Sequence, residues 1–279
     1  MEYQVLKPGD SSYPRRLIER MGPEAPVLYY QGPLKLLDRF TMAVICTDMI
    51  PGICMVETND MLFKIREYAL NYIGGWFSVM ETEIFRLGLD RKNDTVGQRS
   101  VTMVTARGMA RENWDDFLND RFGYSGPFRD FPEKEEYYRR TRCGELLVLS
   151  VTEPDLKRVL RRNILARNWL ACALADVVFV PFAEKGRKTY AICRRVVKAG
   201  IPVFTNKRDD NKDLHKLGIT GLNRKTVGKF LEGLGAKTDG EPVFPSPAGP
   251  PPLVQVATAV KKQPREKQLG FWGGSVRAR

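Results

Sequence analysis

The stretch from Arg167 to Asn206, RNWLACALADVVFVPFAEKGRKTYAICRRVVKAGIPVFTN, constrains the fold more than any other part of the chain. Val177 to Phe182 is a short, β-branched-rich apolar run, as expected of a parallel strand covered on both faces. Ile192, Val196 and Ala199 recur at helical spacing, and Gly200 suits the position just past a helix end. Ile201 to Thr205 reads as the next strand. In such βαβ units ligands sit beyond the carboxyl ends of the strands. That position holds Glu184-Lys185-Gly186-Arg187-Lys188-Thr189, so this basic loop is the expected centre of function.

The rest of the chain supplies further strands and helices in alternation. Arg15 to Met21 reads as a short helix and Val27 to Tyr30 as an extended piece. Thr41 to Cys46 is the first buried strand. Thr58 is expected to cap a helix from about Asn59 to Ile73, stopped by Gly74-Gly75. Trp76 to Met80 reads as a second strand, Thr82 to Leu89 as a helix, Ser100 to Thr105 and Leu146 to Ser150 as strands. Residues 106–145 are dense in charge and aromatics and read as an excursion with one or two short helices. A helix from about Asp155 to Ala175 is expected, with Thr152 and Asp155 as a capping pair. Asn223 to Leu234 is the last expected helix. The pattern predicts an α/β protein with a doubly wound, mostly parallel sheet. The expected divisions are a lead-in over 1–40, the sheet domain over 41–206, a small helical appendage over 207–239, and a Pro-rich, basic, disordered tail over 240–279.

Charge narrows the partners. Lys and Arg number 45 against 33 Asp and Glu, a net charge of +12. Such a balance favours a polyanion, with nucleic acid ahead of an anionic membrane surface. The five cysteines show no CxxC spacing and read as reduced thiols. The start lacks a basic and an apolar signal region, and the most apolar stretch is too short to span a bilayer. A cytoplasmic protein with no membrane partner is expected. With a single histidine, His215, in a polar segment, neither a metal site nor a histidine-based catalytic pair is expected. No cofactor and no catalysis are read from the chain.

Phosphate chemistry is more promising. Gly186-Arg187-Lys188-Thr189 is not a Walker loop, because Arg187 separates Gly from Lys and the upstream Gly position falls on Pro181. A GxGxxG after the first strand is also lacking. What remains is a Gly, three cations and the N–H groups of a helix start, which suit a phosphate oxyanion. Further cations lie at Lys157, Arg158, Arg161, Arg162 and Arg167, and on one continuous helix Arg158, Arg161 and Arg162 share a face. Such a face suits a nucleic-acid backbone, and equally a solvated helix.

Tyr13-Pro14, PVLYYQG from Pro26 to Gly32, the strand AVI from Ala43 to Ile45, and RNWLACALAD from Arg167 to Asp176 together resemble the DNA-processing protein A (DprA/Smf) family, over roughly Leu6 to Asn206. The resemblance implies an extended Rossmann-like fold that binds single-stranded DNA without catalysis. It also implies RecA loading in natural transformation or mobile-element DNA handling, a RecA-type recombinase as partner, and a homodimer. The corresponding site residues here are Arg167, Asn168, Ser78, Lys185, Gly186, Arg187, Lys188 and Thr189, with Arg161 and Arg162 beside them. The family's GSR is Cys46-Thr47-Asp48 here, its second-strand motif gains Glu81 and Glu83, and its Ser-rich loop has become basic. An acid near phosphate costs about 1 kcal/mol or more at close range, so the anion site is either lost or moved toward the basic loop. The alternative is a nucleotide-sensing protein of the same wider fold group. A third reading is a scaffold acting through the tail or the 106–145 excursion.

Overall fold

In the computed structural model, residues 3–89, 99–109, 134–156 and 159–238 are described. The expected tail, most of the 106–145 excursion, and Lys157 and Arg158 lie outside them.

Nine strands among the described residues form one sheet. They are β1 (Gln4–Leu6), β2 (Leu28–Gln31), β3 (Thr41–Val44), β4 (Asn71–Gly74), β5 (Ser100–Thr105), β6 (Leu146–Ser150), β7 (Val177–Val180), β8 (Val203–Asn206) and β9 (Thr220–Leu222). Their order is β1-β2-β6-β5-β4-β3-β7-β8-β9. The β1–β2 and β2–β6 pairs are antiparallel and all others parallel. The expected doubly wound, mostly parallel architecture is therefore observed. The chain runs outward from β3 through β4, β5 and β6, then returns to β7 on the other side of β3. That reversal opens a crevice at the strand carboxyl ends.

The strands alternate their burial between two cores with the period of two that a pleated sheet imposes. Met42, Val44, Tyr72, Val177 and Phe179 face one core. It is closed by α2 (Gly52–Ile65), α3 (Val79–Leu89), α4 (Lys134–Arg142) and α8 (Arg224–Gly233). Ala43, Ile45, Ile73, Val178 and Val180 face the other. There α1 (Arg15–Met21), α5 (Arg161–Leu174), α6 (Lys188–Lys198) and the short α7 (Lys212–His215) supply Leu17, Leu170, Ile192, Val196 and Leu214.

Several expectations need correction. The first helix is Gly52–Ile65, not 59–73, because Pro51 starts it and the apolar run at 70–74 is used as β4. Thr58 is not its cap; it lies mid-helix, donates to Cys54 O at 2.7 Å and accepts from Asn206 Nδ2 at 2.9 Å. The second parallel strand is thus Asn71–Gly74, not 76–80, and Trp76 to Ser78 form the turn beyond it. The helix expected from Asp155 begins at Arg161 with Leu160 as its flanking residue, so Thr152 and Asp155 do not cap it. Residues 207–238 carry α7, α8 and also β9, which pairs in parallel with β8. Asn223 caps α8 in a capping box with Thr226. His215 is half-buried, its ring nitrogens facing the carbonyl oxygens of Ile219 at 3.3 Å and Arg208 at 3.2 Å.

Candidate functional site

The crevice end of the sheet collects helix N-termini. The helices α2, α3, α6 and α8 follow directly on β3, β4, β7 and β9 and so begin there. The α5 C-terminus is tied to the opposite end, since Asp176 N donates to Thr41 O at 2.8 Å at the start of β3. Its N-terminus, with Arg161 and Arg162 as first residues, therefore points the same way. Orphan N–H groups and the helix dipoles give this end a positive field.

Neither α5 nor α6 moderates that field with its own residues. Both lack a side-chain cap, and neither has an acid in its first turn. Arg161 and Arg162 are exposed on α5, and Arg158, expected to share their face, lies outside the described residues. The basic loop after β7 is open: Glu184 to Lys188 are exposed, and Gly186 holds a positive φ of 86° that an L side chain resists. Arg187 flanks α6 and pairs with Glu184 at 3.1 Å in a solvent-exposed contact. Lys188 opens the helix, while Thr189 turns inward and is buried. The loops after β3 and β7 touch, through Thr47 N donating to Phe182 O at 3.1 Å.

Arg167 belongs to a different environment. It is only 5 % exposed, its Nε donates to Asn168 Oδ1 at 3.0 Å, and its guanidinium stacks 4.7 Å from the centre of the Phe77 ring. Gly75 makes room for it, because a Cβ there would lie 2.4 Å from Arg167 Cζ. Burial pulls the Arg167 guanidinium below its ordinary range, opposed by the charges of Glu81 and Asp48. Asn168 spends its oxygen on Arg167.

Glu81 was legible as an acid in the sequence, but its role was not. It is 4 % exposed, and its carboxyl accepts the N–H groups of Cys46 at 2.9 Å, Phe77 at 2.9 Å and Ser78 at 3.2 Å. Ser78 Oγ accepts the Glu81 N–H at 3.2 Å in return. Ser78 and Glu81 thus form the reciprocal cap of α3. The Ser-x-x-Glu spacing at 78–81 is the signal that marks this helix start. Ser78 is committed to that cap. Trp76 sets up the turn with a positive φ of 56°, held by burial and by its indole N–H donating to Thr102 O at 3.1 Å.

Burial pushes the thiols of Cys54 and Cys193 up to about 11 and about 12, so neither is a thiolate at neutral pH. Groups of three or more metal-ligating side chains are absent among the described residues. Among the same residues, no helix is long and apolar enough to cross a membrane.

Protein-family models and functionally curated proteins give no match to this sequence. Solved structures do. DNA processing protein A (DprA) from Streptococcus pneumoniae superposes with a TM-score of 0.62 at 19 % identity, over 84 % of this chain and 74 % of that one. DNA processing protein A from Helicobacter pylori, described for its single-stranded DNA binding mode, gives a TM-score of 0.59 at 18 % identity, over 84 % of this chain and 97 % of that one. The fold is DprA-like. Both likenesses are in fold, at an identity too low to carry residue roles across. The site residues therefore rest on the geometry above.

Proposed function

We propose that this protein binds single-stranded DNA along the carboxyl end of its sheet and serves in DNA processing without catalysing a reaction. The observation that carries the reading is the state of α5 and α6. Their first turns hold Arg161, Arg162 and Lys188, with Arg187 beside them, and no acid or side-chain cap answers their N–H groups. Cations placed against positive helix ends are unfavourable unless an external anion joins them. A phosphodiester backbone supplies that anion repeatedly, and the loop from Lys185 to Lys188 extends the same positive surface. The likeness in fold to the DprA proteins supports the same polymer. Loading of a RecA-type recombinase and action as a homodimer are the finer parts of this proposal.

The test is an anisotropy titration of a labelled single strand and its duplex at two salt concentrations. The single strand should bind more tightly, and its affinity should fall steeply with salt. Replacing Lys185, Arg187 and Lys188 together by Ala should weaken binding at least tenfold. The salt slope should fall by about 2, at roughly 0.7 per lost phosphate contact. An unchanged titration would sink the assignment. Saturable binding of mononucleotides would instead favour a nucleotide sensor.

A further inference from the structure

The end of β4 holds a cradle built for an oxyanion. Three backbone N–H groups converge there from two separate segments: Cys46 after β3, and Phe77 and Ser78 before α3. The eleven-residue helix α3 aims its positive end at the same point. Arg167 stands beside it, more than nine-tenths buried, and among the described residues its only hydrogen bond is from Nε to Asn168. Its two Nη groups make no hydrogen bond among the described residues and are not fully enclosed. A buried guanidinium with open donors, next to convergent amides at the switch point of a doubly wound sheet, is an arrangement suited to phosphate or sulfate.

What fills the cradle is a side chain. We infer that Glu81 is a built-in occupant, its carboxyl filling a latent phosphate-type site that the chain itself keeps closed. The geometry supports occupation over mere proximity. Both carboxyl oxygens are used, one by Cys46 N and the other by Phe77 N and Ser78 N. Two bonds come from the turn just ahead of the helix, while the third comes from a different loop. A capping box requires only the bond to Ser78. The bonds from Cys46 and Phe77 exceed what capping needs and are those an oxyanion ligand would take. External phosphate is therefore directed away from this point and toward the basic ends of α5 and α6. The inference stands apart from the DNA reading, because its readout is inorganic phosphate and thermal stability.

The variant Glu81→Ala vacates the cradle and leaves three N–H donors unpaired. Its melting temperature should fall below wild type, then rise with millimolar inorganic phosphate by about 3 °C more than wild type does at matched ionic strength, at roughly ten times the dissociation constant. The variant Glu81→Gln keeps the cradle filled and should show only the wild-type response. Equal phosphate shifts in Glu81→Ala and wild type overturn the inference. If Glu81→Ala does not fold in chloride, refolding in phosphate must restore its near-ultraviolet dichroism. Failure to do so overturns the inference equally. Acetate, a carboxylate that fits the same donors, should rescue Glu81→Ala in the same direction.

Discussion

At Glu81, burial and hydrogen bonding pull in opposite directions. Burial raises its carboxyl above the ordinary value of 4.5, while the Arg167 charge and the amides of Cys46, Phe77 and Ser78 lower it; the net direction is upward. The folded protein therefore holds this proton more tightly than the unfolded chain does. The stability contributed by the group is full below the ordinary Glu range and is lost as pH rises through the raised value. Glutamine at 81 carries no such charge. The urea-denaturation stability of Glu81→Gln relative to wild type should accordingly improve as pH rises above the ordinary Glu range. A gap that moves the other way would show that Arg167 and the amides outweigh burial. Arg167 itself was legible in the sequence as a site candidate. Its burial was not, because that depends on Gly75, ninety-two residues earlier in the chain, leaving space at a contact of 2.4 Å.

At the scale of elements, α1 works as a clamp on α5. Arg20 Nη1 donates to Ala173 O at 2.8 Å and Ala175 O at 2.6 Å, and Arg16 Nη1 to Leu174 O at 3.0 Å. These cap the last carbonyls of a helix that has no basic residue in its own last turn. Arg16 also pairs with Asp176 at 2.8 Å, whose other oxygen accepts Thr41 N at 2.7 Å. Replacing Arg20 by Ala should lower stability by about 1.5–3 kcal/mol in chemical denaturation. A loss under roughly 0.5 kcal/mol would mean that water satisfies the carbonyls as well. The clamp joins residues more than 150 positions apart, so local pattern cannot announce it. What local pattern did announce were elements whose apolar runs have one use. The strands Ser100–Thr105 and Leu146–Ser150 and the helix Arg15–Met21 fall where they were expected. The misplacement around 52–80 arose because Leu62, Ile65 and Ala69 carry helical spacing past the true end at Ile65. The choice between continuing that helix and starting β4 is settled by pairing with β3 and β5, which is a tertiary fact.

The whole molecule carries a net charge of +12, and the fold decides where part of it counts. The topology brings the first turns of five helices to one end of the sheet, and two of those turns are basic and uncapped. Local stability and binding then make opposite demands on the same residues. Arg161 and Arg162 oppose the α5 dipole, a cost of about 0.3–1 kcal/mol for each charge at low salt. If they are there for phosphate, removing both should weaken single-stranded DNA binding and lower its salt slope by about 1.4, at roughly 0.7 per contact. The same double variant, Arg161→Ala with Arg162→Ala, should melt at or above the wild-type temperature. Surface cations that merely solvate a helix would leave the slope unchanged. Cations that hold structure would lower the melting temperature without touching the slope. Only a positive end kept for an outside anion gives weaker binding, a shallower slope and an undiminished fold in one protein.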